Sequence, residues 1–168
     1  MQYTTQFDSP LGKMLLAADE KGITGVWFYG GKYFADGLAK EHKEEITPAL
    51  KKALQWLKLY FDGKKPQFMP PIHMMGTVFQ MSVWNILQTI PYGKTTTYGA
   101  IAKKIAAKRG TKQMSAQAVG GAVGHNKISI LIPCHRVLGS NGDLTGYAAG
   151  IDKKKALLQI EGVKFSLL

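Results

Sequence analysis

Acidic residues are scarce where the chain is most basic. Residues 76–168 contain only Asp143, Asp152 and Glu161 against twelve Lys and Arg, a net charge of +9, whereas residues 1–75 carry ten Lys/Arg and eight Asp/Glu, a net of +2. Cysteine is scarcer still. The single Cys134 excludes an intrachain disulfide framework and any Cys-rich zinc site. The four histidines, at 42, 73, 125 and 135, stand in no metal-ligand spacing, so no metal is expected. No apolar run approaches the roughly 20 residues needed to cross a bilayer. Met1-Gln2-Tyr3-Thr4-Thr5 has neither a basic n-region nor an apolar h-region, so a cytoplasmic protein is expected. Internal repeats and low-complexity tracts are also lacking.

What is present fits a globular protein of one ordinary domain or two small ones: 168 residues, 45% apolar and 20% charged. The basic excess of the C-terminal half suits a polyanionic partner, nucleic acid above all. A merely solubilising surface would have the same composition.

Two parts are expected, residues 1–75 and residues 76–168, with a linker near 64–75. In the first, Gln2–Phe7 alternates and is rich in Tyr and Thr, as a strand is. Ser9-Pro10-Leu11-Gly12 reads as a turn. Met14–Ala18 and Ile23–Phe28, separated by Asp19-Glu20-Lys21-Gly22, predict an antiparallel hairpin. Thr47-Pro48 supplies an N-cap and a proline at the first helical position. Leu50, Leu54, Leu57 and Phe61 then mark one face of a helix that stops at Asp62-Gly63. Lys64–Pro71, with three prolines, reads as linker.

The second part is more helical. A helix is expected over Val78–Ile90, broken by Pro91-Tyr92-Gly93, and another over Tyr98–Ala107. A basic connection, Lys108–Lys112, leads to a helix capped by Ser115 and running to about Gly124, a helix–turn–helix pattern. That last helix is nearly bare: Ala116, Ala118, Gly120, Gly121, Ala122 and Gly124. Each glycine costs up to about 1 kcal/mol relative to alanine. Close approach to a partner surface would explain this, and so would tight packing inside the protein.

Ile128–Ile132 reads as a buried strand ended by Pro133, after which come Cys134-His135-Arg136-Val137. A nucleophilic thiol needs nearby cations or a base, and His135 and Arg136 offer both. Adjacent residues of an extended chain point to opposite faces, so contact between Cys134 and His135 requires a sharp turn or a bridging water. A lone cysteine can equally be a small buried hydrophobe. Asp152 is expected to cap a final helix containing Leu157, Leu158 and Ile160. Glu161 then sits at the helix C-terminus, where the dipole disfavours a carboxylate. That points weakly to function, against a solvated glutamate.

Pro133-Cys134-His135-Arg136-Val137 resembles the active-site pentapeptide of the 6-O-alkylguanine–DNA alkyltransferases, the methylated-DNA–protein-cysteine methyltransferases. Thr77-Val78-Phe79-Gln80, Val83-Trp84, Ile90-Pro91-Tyr92-Gly93-Lys94, Tyr98, Ala118–Ala122, His125-Asn126 and Gly146-Tyr147 are similar to that family as well. The likeness is strong over residues 76–162 and looser before. It implies an α/β (α+β) protein: a small ribonuclease-H-like sheet-plus-helix domain, then a mostly helical, winged-helix-like DNA-binding and catalytic domain. The implied activity is single-turnover DNA repair. Cys134 takes the alkyl group from guanine O6 and keeps it as a thioether, with no cofactor.

The resemblance also implies roles. His135 acts through a water as the base, Glu161 orients His135, and Asn126 holds the turn before the nucleophile. Tyr98 donates a proton or hydrogen bond to the flipped guanine. Val137, Tyr147 and Ala148 line the alkylguanine pocket. Thr95, Ala116, Gln117, Ala118, Gly120, Gly121 and Arg136 contact duplex DNA through its minor groove, with the protein acting as a monomer. Two positions depart from the family pattern. Gln117 stands where an arginine finger is frequent, and Ala148 where serine is frequent, although the Ala148 backbone N–H can still reach O6. About Lys108–Gln113, extra residues lengthen the turn between the two helices. Two other readings stand beside this one. One is a cysteine hydrolase using Cys134, Asn126 and His125 or His135. The other is a non-catalytic DNA-binding protein, against which the presence of the cysteine speaks.

Overall fold

The computed structural model describes residues 1–164. The chain has the α+β architecture expected from the sequence, in two compact units. The first comprises Met1–Met75 together with Lys127–Leu131, and the second comprises Gly76–Asn126 and the chain from Ile132 onward.

The first unit is built on a sheet of order β3-β2-β1-β4. Strands β1 (Gln2–Ser9), β2 (Gly12–Ala18) and β3 (Ile23–Phe28) run antiparallel, and β4 (His42–Glu44) lies parallel to β1. Local hydrogen bonds set both hairpin turns. Ser9 Oγ accepts from the Leu11 N–H at 3.1 Å, and the Asp19 carboxylate accepts from the Lys21 and Gly22 N–H groups at 2.9 and 3.2 Å. Gly22 is required where it stands. A Cβ there would come within 2.5 Å of the Pro71 carbonyl oxygen, because the linker closes on β3 through an Ile23 N–H to Pro71 O bond of 2.8 Å.

Helix α1 (Pro48–Phe61) is capped by Thr47, as its sequence predicts, and packs on β1, β2 and β3. Its buried face is Leu50, Ala53, Trp56, Leu57 and Tyr60. Leu54 and Phe61, expected on that face, are only half-buried. The aromatic bulk of Trp56 and Tyr60, stacked with ring centroids 5.3 Å apart, rotates the core-facing stripe by a fraction of a turn.

Ile128–Ile132 is not the strand its composition suggests. Ile128 makes one parallel bridge to Val26 of β3, through Val26 N–H to Lys127 O and Ser129 N–H to Val26 O bonds of 2.8 and 3.0 Å. The backbone then turns away at Ile130, whose φ of 71° lies in the left-handed region that a β-branched residue rarely occupies. The run is apolar because it is buried, not because it belongs to a ladder.

In the second unit, α2 (Val78–Leu87) opens with a capping box. Thr77 Oγ1 accepts from the Gln80 N–H, and Gln80 Oε1 accepts from the Thr77 N–H. The helix ends three residues before the expected Ile90. Two-residue β5 (Thr96–Thr97) leads directly into α3 (Tyr98–Arg109), which closes on Gly110 at φ 68°, two residues beyond the expected Ala107. Ser115 caps α4 (Ala116–Gly124), whose buried residues Val119, Ala122 and Val123 pack against α2 and α3. Trp84 fixes α2 to α4 by donating its indole N–H to Ala122 O at 2.9 Å. Strand β6 (Val137–Leu138) pairs parallel with β5, and α5 (Ile151–Ile160) is the last helix among the described residues. Gly150, not Asp152, is the N-cap of α5; Asp152 lies in the first turn, where its charge suits the helix dipole without closing a cap.

Candidate active site

The turn that an extended chain could not provide is a 3-10 turn over Cys134–Arg136, entered through Pro133 at ψ 67°. The Ile132 carbonyl anchors it, accepting the Cys134 N–H and the Asn126 side-chain amide, each at 2.8 Å. Asn126 follows α4, so one side chain links the bare helix to the cysteine turn.

Behind the turn lies a buried carboxylate held by four donors. Glu161 Oε1 accepts from Arg136 Nε at 2.8 Å and from the Gly93 N–H at 3.0 Å. Its Oε2 accepts from His135 Nε2 at 2.5 Å and from Arg136 Nη2 at 3.2 Å. Gly93, at φ 79°, makes the turn that aims its amide at the carboxylate. The third face of the guanidinium donates from Arg136 Nη1 to Ile90 O at 2.6 Å, and its carbon lies 5.8 Å from the centre of the Tyr92 ring.

Burial opposes the charge on Glu161, but hydrogen bonds from His135 and Arg136 and the positive charge of Arg136 outweigh it and hold the carboxyl down at about 2. An ionised carboxylate only accepts, so His135 Nε2 carries a proton. Burial also pushes the His135 imidazolium down, which leaves a neutral ring whose basic nitrogen is Nδ1. Burial pushes the Cys134 thiol up. Hydrogen bonds from Asn126 and Tyr147 and the charge of Lys154 pull it the other way.

Tyr98, the first residue of α3, donates its hydroxyl to Thr145 O at 3.0 Å. Its own ionisation is pushed up by burial and by proximity to Cys134. Val137 is wholly buried in β6, and Ala148 is half-buried on the loop before α5.

Around Cys134 the structure therefore gathers His135, Asn126, Tyr98 and Tyr147, with Glu161 behind His135. It does not gather the whole expected DNA-contacting set. Arg136 is 7% exposed with all of its donor nitrogens committed to Glu161 and Ile90, so it is a buried ion-pair partner and not a phosphate contact. Thr95, Ala116, Gln117, Ala118 and Gly121 are exposed, and Gly120 is half-buried near the Tyr98 ring. A Cβ at Gly121 would meet nothing within 4 Å, so internal packing does not require that glycine. His125 donates from Nδ1 to Gly121 O of the preceding helix at 2.8 Å.

Lys154 is the residue that sequence reasoning passed over. It is fully buried beside Cys134. The signal was available: Lys154, Leu157, Leu158 and Glu161 stand at i, i+3, i+4 and i+7, so the apolar stripe of α5 begins and ends on a charge. Among the described residues, no His, Cys, Asp and Glu cluster could hold a metal, and no helix is long and apolar enough to cross a membrane.

The 6-O-methylguanine DNA methyltransferase ribonuclease-like domain matches residues 2–74, and the DNA binding domain of the same family matches residues 78–163. A methylated-DNA–protein-cysteine methyltransferase of Methanosarcina acetivorans is 44% identical over 95% of this chain and 98% of its own. One from Haemophilus influenzae is 38% identical over 97% of this chain and 88% of its own. The crystal structure of Mycobacterium tuberculosis OGT in complex with DNA superposes with a TM-score of 0.81 at 39% identity, covering 95% of this chain and 92% of that one. The chain belongs to the 6-O-methylguanine DNA methyltransferase family.

Proposed function

We propose that this protein repairs DNA by transferring an alkyl group from guanine O6 to Cys134, once per molecule. The single observation that carries the reading is the Cys134–His135–Glu161 arrangement. The only cysteine of the chain lies on a tight turn, backed by a neutral histidine whose other nitrogen is bonded to a buried carboxylate.

The chemistry follows from those groups. His135 Nδ1 takes the proton of Cys134 through a water, and Glu161 steadies the imidazolium that forms. The thiolate attacks the alkyl carbon. The C–S bond forms as the C–O bond breaks, and the bonding pair leaves on guanine. Tyr98 offers its hydroxyl to the departing base, which gains one proton to become guanine, and the proton held by His135 returns to solvent to make good the one the base takes up. Nothing in the site can remove an alkyl group from sulfur, so the protein is spent.

The target base leaves the duplex to reach a cysteine that is itself nearly buried. The exposed, side-chain-poor face of α4 (Ala116, Ala118, Gly121) suits close approach to the DNA minor groove, and Gln117 projects from that face as the residue that fills the vacated stack. Val137, Tyr147 and the Ala148 N–H form the base pocket. The +9 charge of residues 76–168 supplies the phosphate attraction. A cytoplasmic monomer acting on duplex DNA is the simplest form of this reading.

The test uses a duplex carrying guanine with an isotope-labelled O6-methyl group. Label is expected on the peptide containing Cys134, and Cys134→Ala is expected to bind the duplex but take up none. Label on another residue, or none on the wild-type protein, would refute the assignment.

A further inference from the structure

The chain reaches Cys134 through two of the tightest turns a backbone makes. The Leu131 N–H donates to Ser129 O at 2.8 Å, and the Cys134 N–H donates to Ile132 O at 2.8 Å, each across a single intervening residue. Both are γ-turns. The one before Cys134 is the common inverse form, centred on Pro133 at φ −81° and ψ 67°, close to the φ that the proline ring imposes. The one before Leu131 is the rare and strained form, because Ile130 at its centre has a φ of 71°. Three other non-glycine residues among those described have a positive φ: Tyr33, Ala35 and Asn141. Tyr33 and Asn141 are exposed and Ala35 is half-buried, whereas Ile130 is buried and β-branched.

A left-handed β-branched residue persists only where its surroundings over-determine it. At Ile130 they do so from both sides. Upstream, the bonds of Val26 with Lys127 and Ser129 fix the chain on β3 as far as the preceding residue. Downstream, Ile132 O is held by the Asn126 side-chain amide and by the Cys134 N–H. Packing alone does not ask for this backbone, since isoleucine packs well in an extended strand. With residue 130 extended, the chain would continue along β3 and carry Ile132 O away from Asn126.

We propose that Ile130 is a positioning residue for the nucleophile: its left-handed backbone aims the Ile132 carbonyl, and that carbonyl sets the turn that presents Cys134. The role rests on the reading of Cys134 as the alkyl acceptor.

Glycine and alanine at position 130 separate backbone from packing. Both remove the buried side chain, but only glycine takes a positive φ freely. Elsewhere in a folded chain glycine is the more disruptive of the two, so the order of the variants is diagnostic. A misplacement of about 1 Å can cost about 10²-fold in rate, so at saturating O6-methylguanine duplex Ile130→Ala is expected to transfer at least about tenfold more slowly than Ile130→Gly. The Asn126 side-chain amide resonance, which reports the bond to Ile132 O, is expected to hold its wild-type position in Ile130→Gly and to move in Ile130→Ala. Equal rates and equal resonances in two variants that both melt below the wild type would overturn the proposal, because lost packing alone explains them.

A second measurement uses the wild-type protein and stands even if neither variant folds. A strong nuclear Overhauser effect between the N–H and Hα of Ile130, the mark of a positive φ, is expected, together with a Leu131 amide protected from hydrogen exchange. An extended Ile130 or a freely exchanging Leu131 amide would overturn the proposal. Failure of either test with methyl label still arriving on Cys134 would leave the repair reading intact. If no protein took methyl from DNA, the repair reading would fall, and a slower alkylation of Cys134 by iodoacetamide in Ile130→Ala than in Ile130→Gly would still keep the placement of Cys134 by Ile130.

Discussion

Replacing Gly121 by leucine separates stability from function. Gly121 is helical and exposed, and an added Cβ there meets nothing within 4 Å, so the protein itself has room for a side chain. Glycine is less favourable than a good helix former by about 1 kcal/mol in a helix interior. Gly121→Leu should therefore stabilise the protein by about that amount, raising its melting temperature by roughly 2–4 °C for a chain of this size. The same leucine would stand between α4 and a minor groove only about 6 Å wide. Transfer from duplex DNA should then fall at least about tenfold, equivalent to losing about 1.4 kcal/mol of binding. Calorimetry and single-turnover transfer on one duplex measure both effects, and iodoacetamide alkylation of Cys134 should be unchanged. A more stable variant with wild-type duplex transfer would show that this face of α4 does not approach DNA. A less stable variant would show that the glycine serves packing after all.

Other expectations follow from the same geometry. Glu161 titrates at about 2 in the folded protein against 4.5 when unperturbed, so its contribution to stability is fully present above pH 4.5 and is lost as pH falls toward 2. The loss amounts to about 3 kcal/mol and should be visible as acid-induced destabilisation that Glu161→Gln lacks over that window. The same variant leaves the Arg136 cation buried without its carboxylate, so at neutral pH it should be destabilised by about 3–5 kcal/mol in denaturant titrations. His135→Ala should slow transfer by about 10²–10⁴-fold, and more than Glu161→Gln does; an unchanged rate would remove the histidine from the reaction. Gln117→Ala should slow repair of duplex DNA much more than repair of a single strand, with Gln117→Arg restoring the duplex rate; equal losses on both substrates would reject insertion into the stack. DNA affinity should fall steeply with salt, as counterion release requires, and a salt-insensitive affinity would contradict phosphate contacts by the basic half.

Much of this architecture is legible in the sequence because local chemistry writes it. Turn residues at Ser9 and Asp19, caps at Thr47, Thr77 and Ser115, and the alternation of β1 each specify an element without help from distant contacts. Strand β4 is not legible. Its three residues are exposed, so no hydrophobic pattern marks them, and only backbone pairing with β1 makes them a strand. Ile128–Ile132 misleads in the opposite way, since burial alone makes it apolar. At the site, Cys134 announces itself by its flanking residues, but the use of each cation does not. Arg136 reads as a surface arginine until Glu161, twenty-five positions away, is brought against it. Lys154 reads as one of three solvated lysines until helical spacing places it on the same stripe as Leu157 and Leu158. Charge partners distant in sequence are what a single sequence withholds.

The central claim is that Cys134 is consumed by the reaction. Intact-mass measurement after incubation with excess duplex containing O6-methylguanine tests it most directly. The account predicts that every active molecule gains the mass of one methylene, that the gain maps to Cys134, and that the guanine repaired equals the protein present. Repair that continues beyond one equivalent, with the protein mass unchanged, would contradict it.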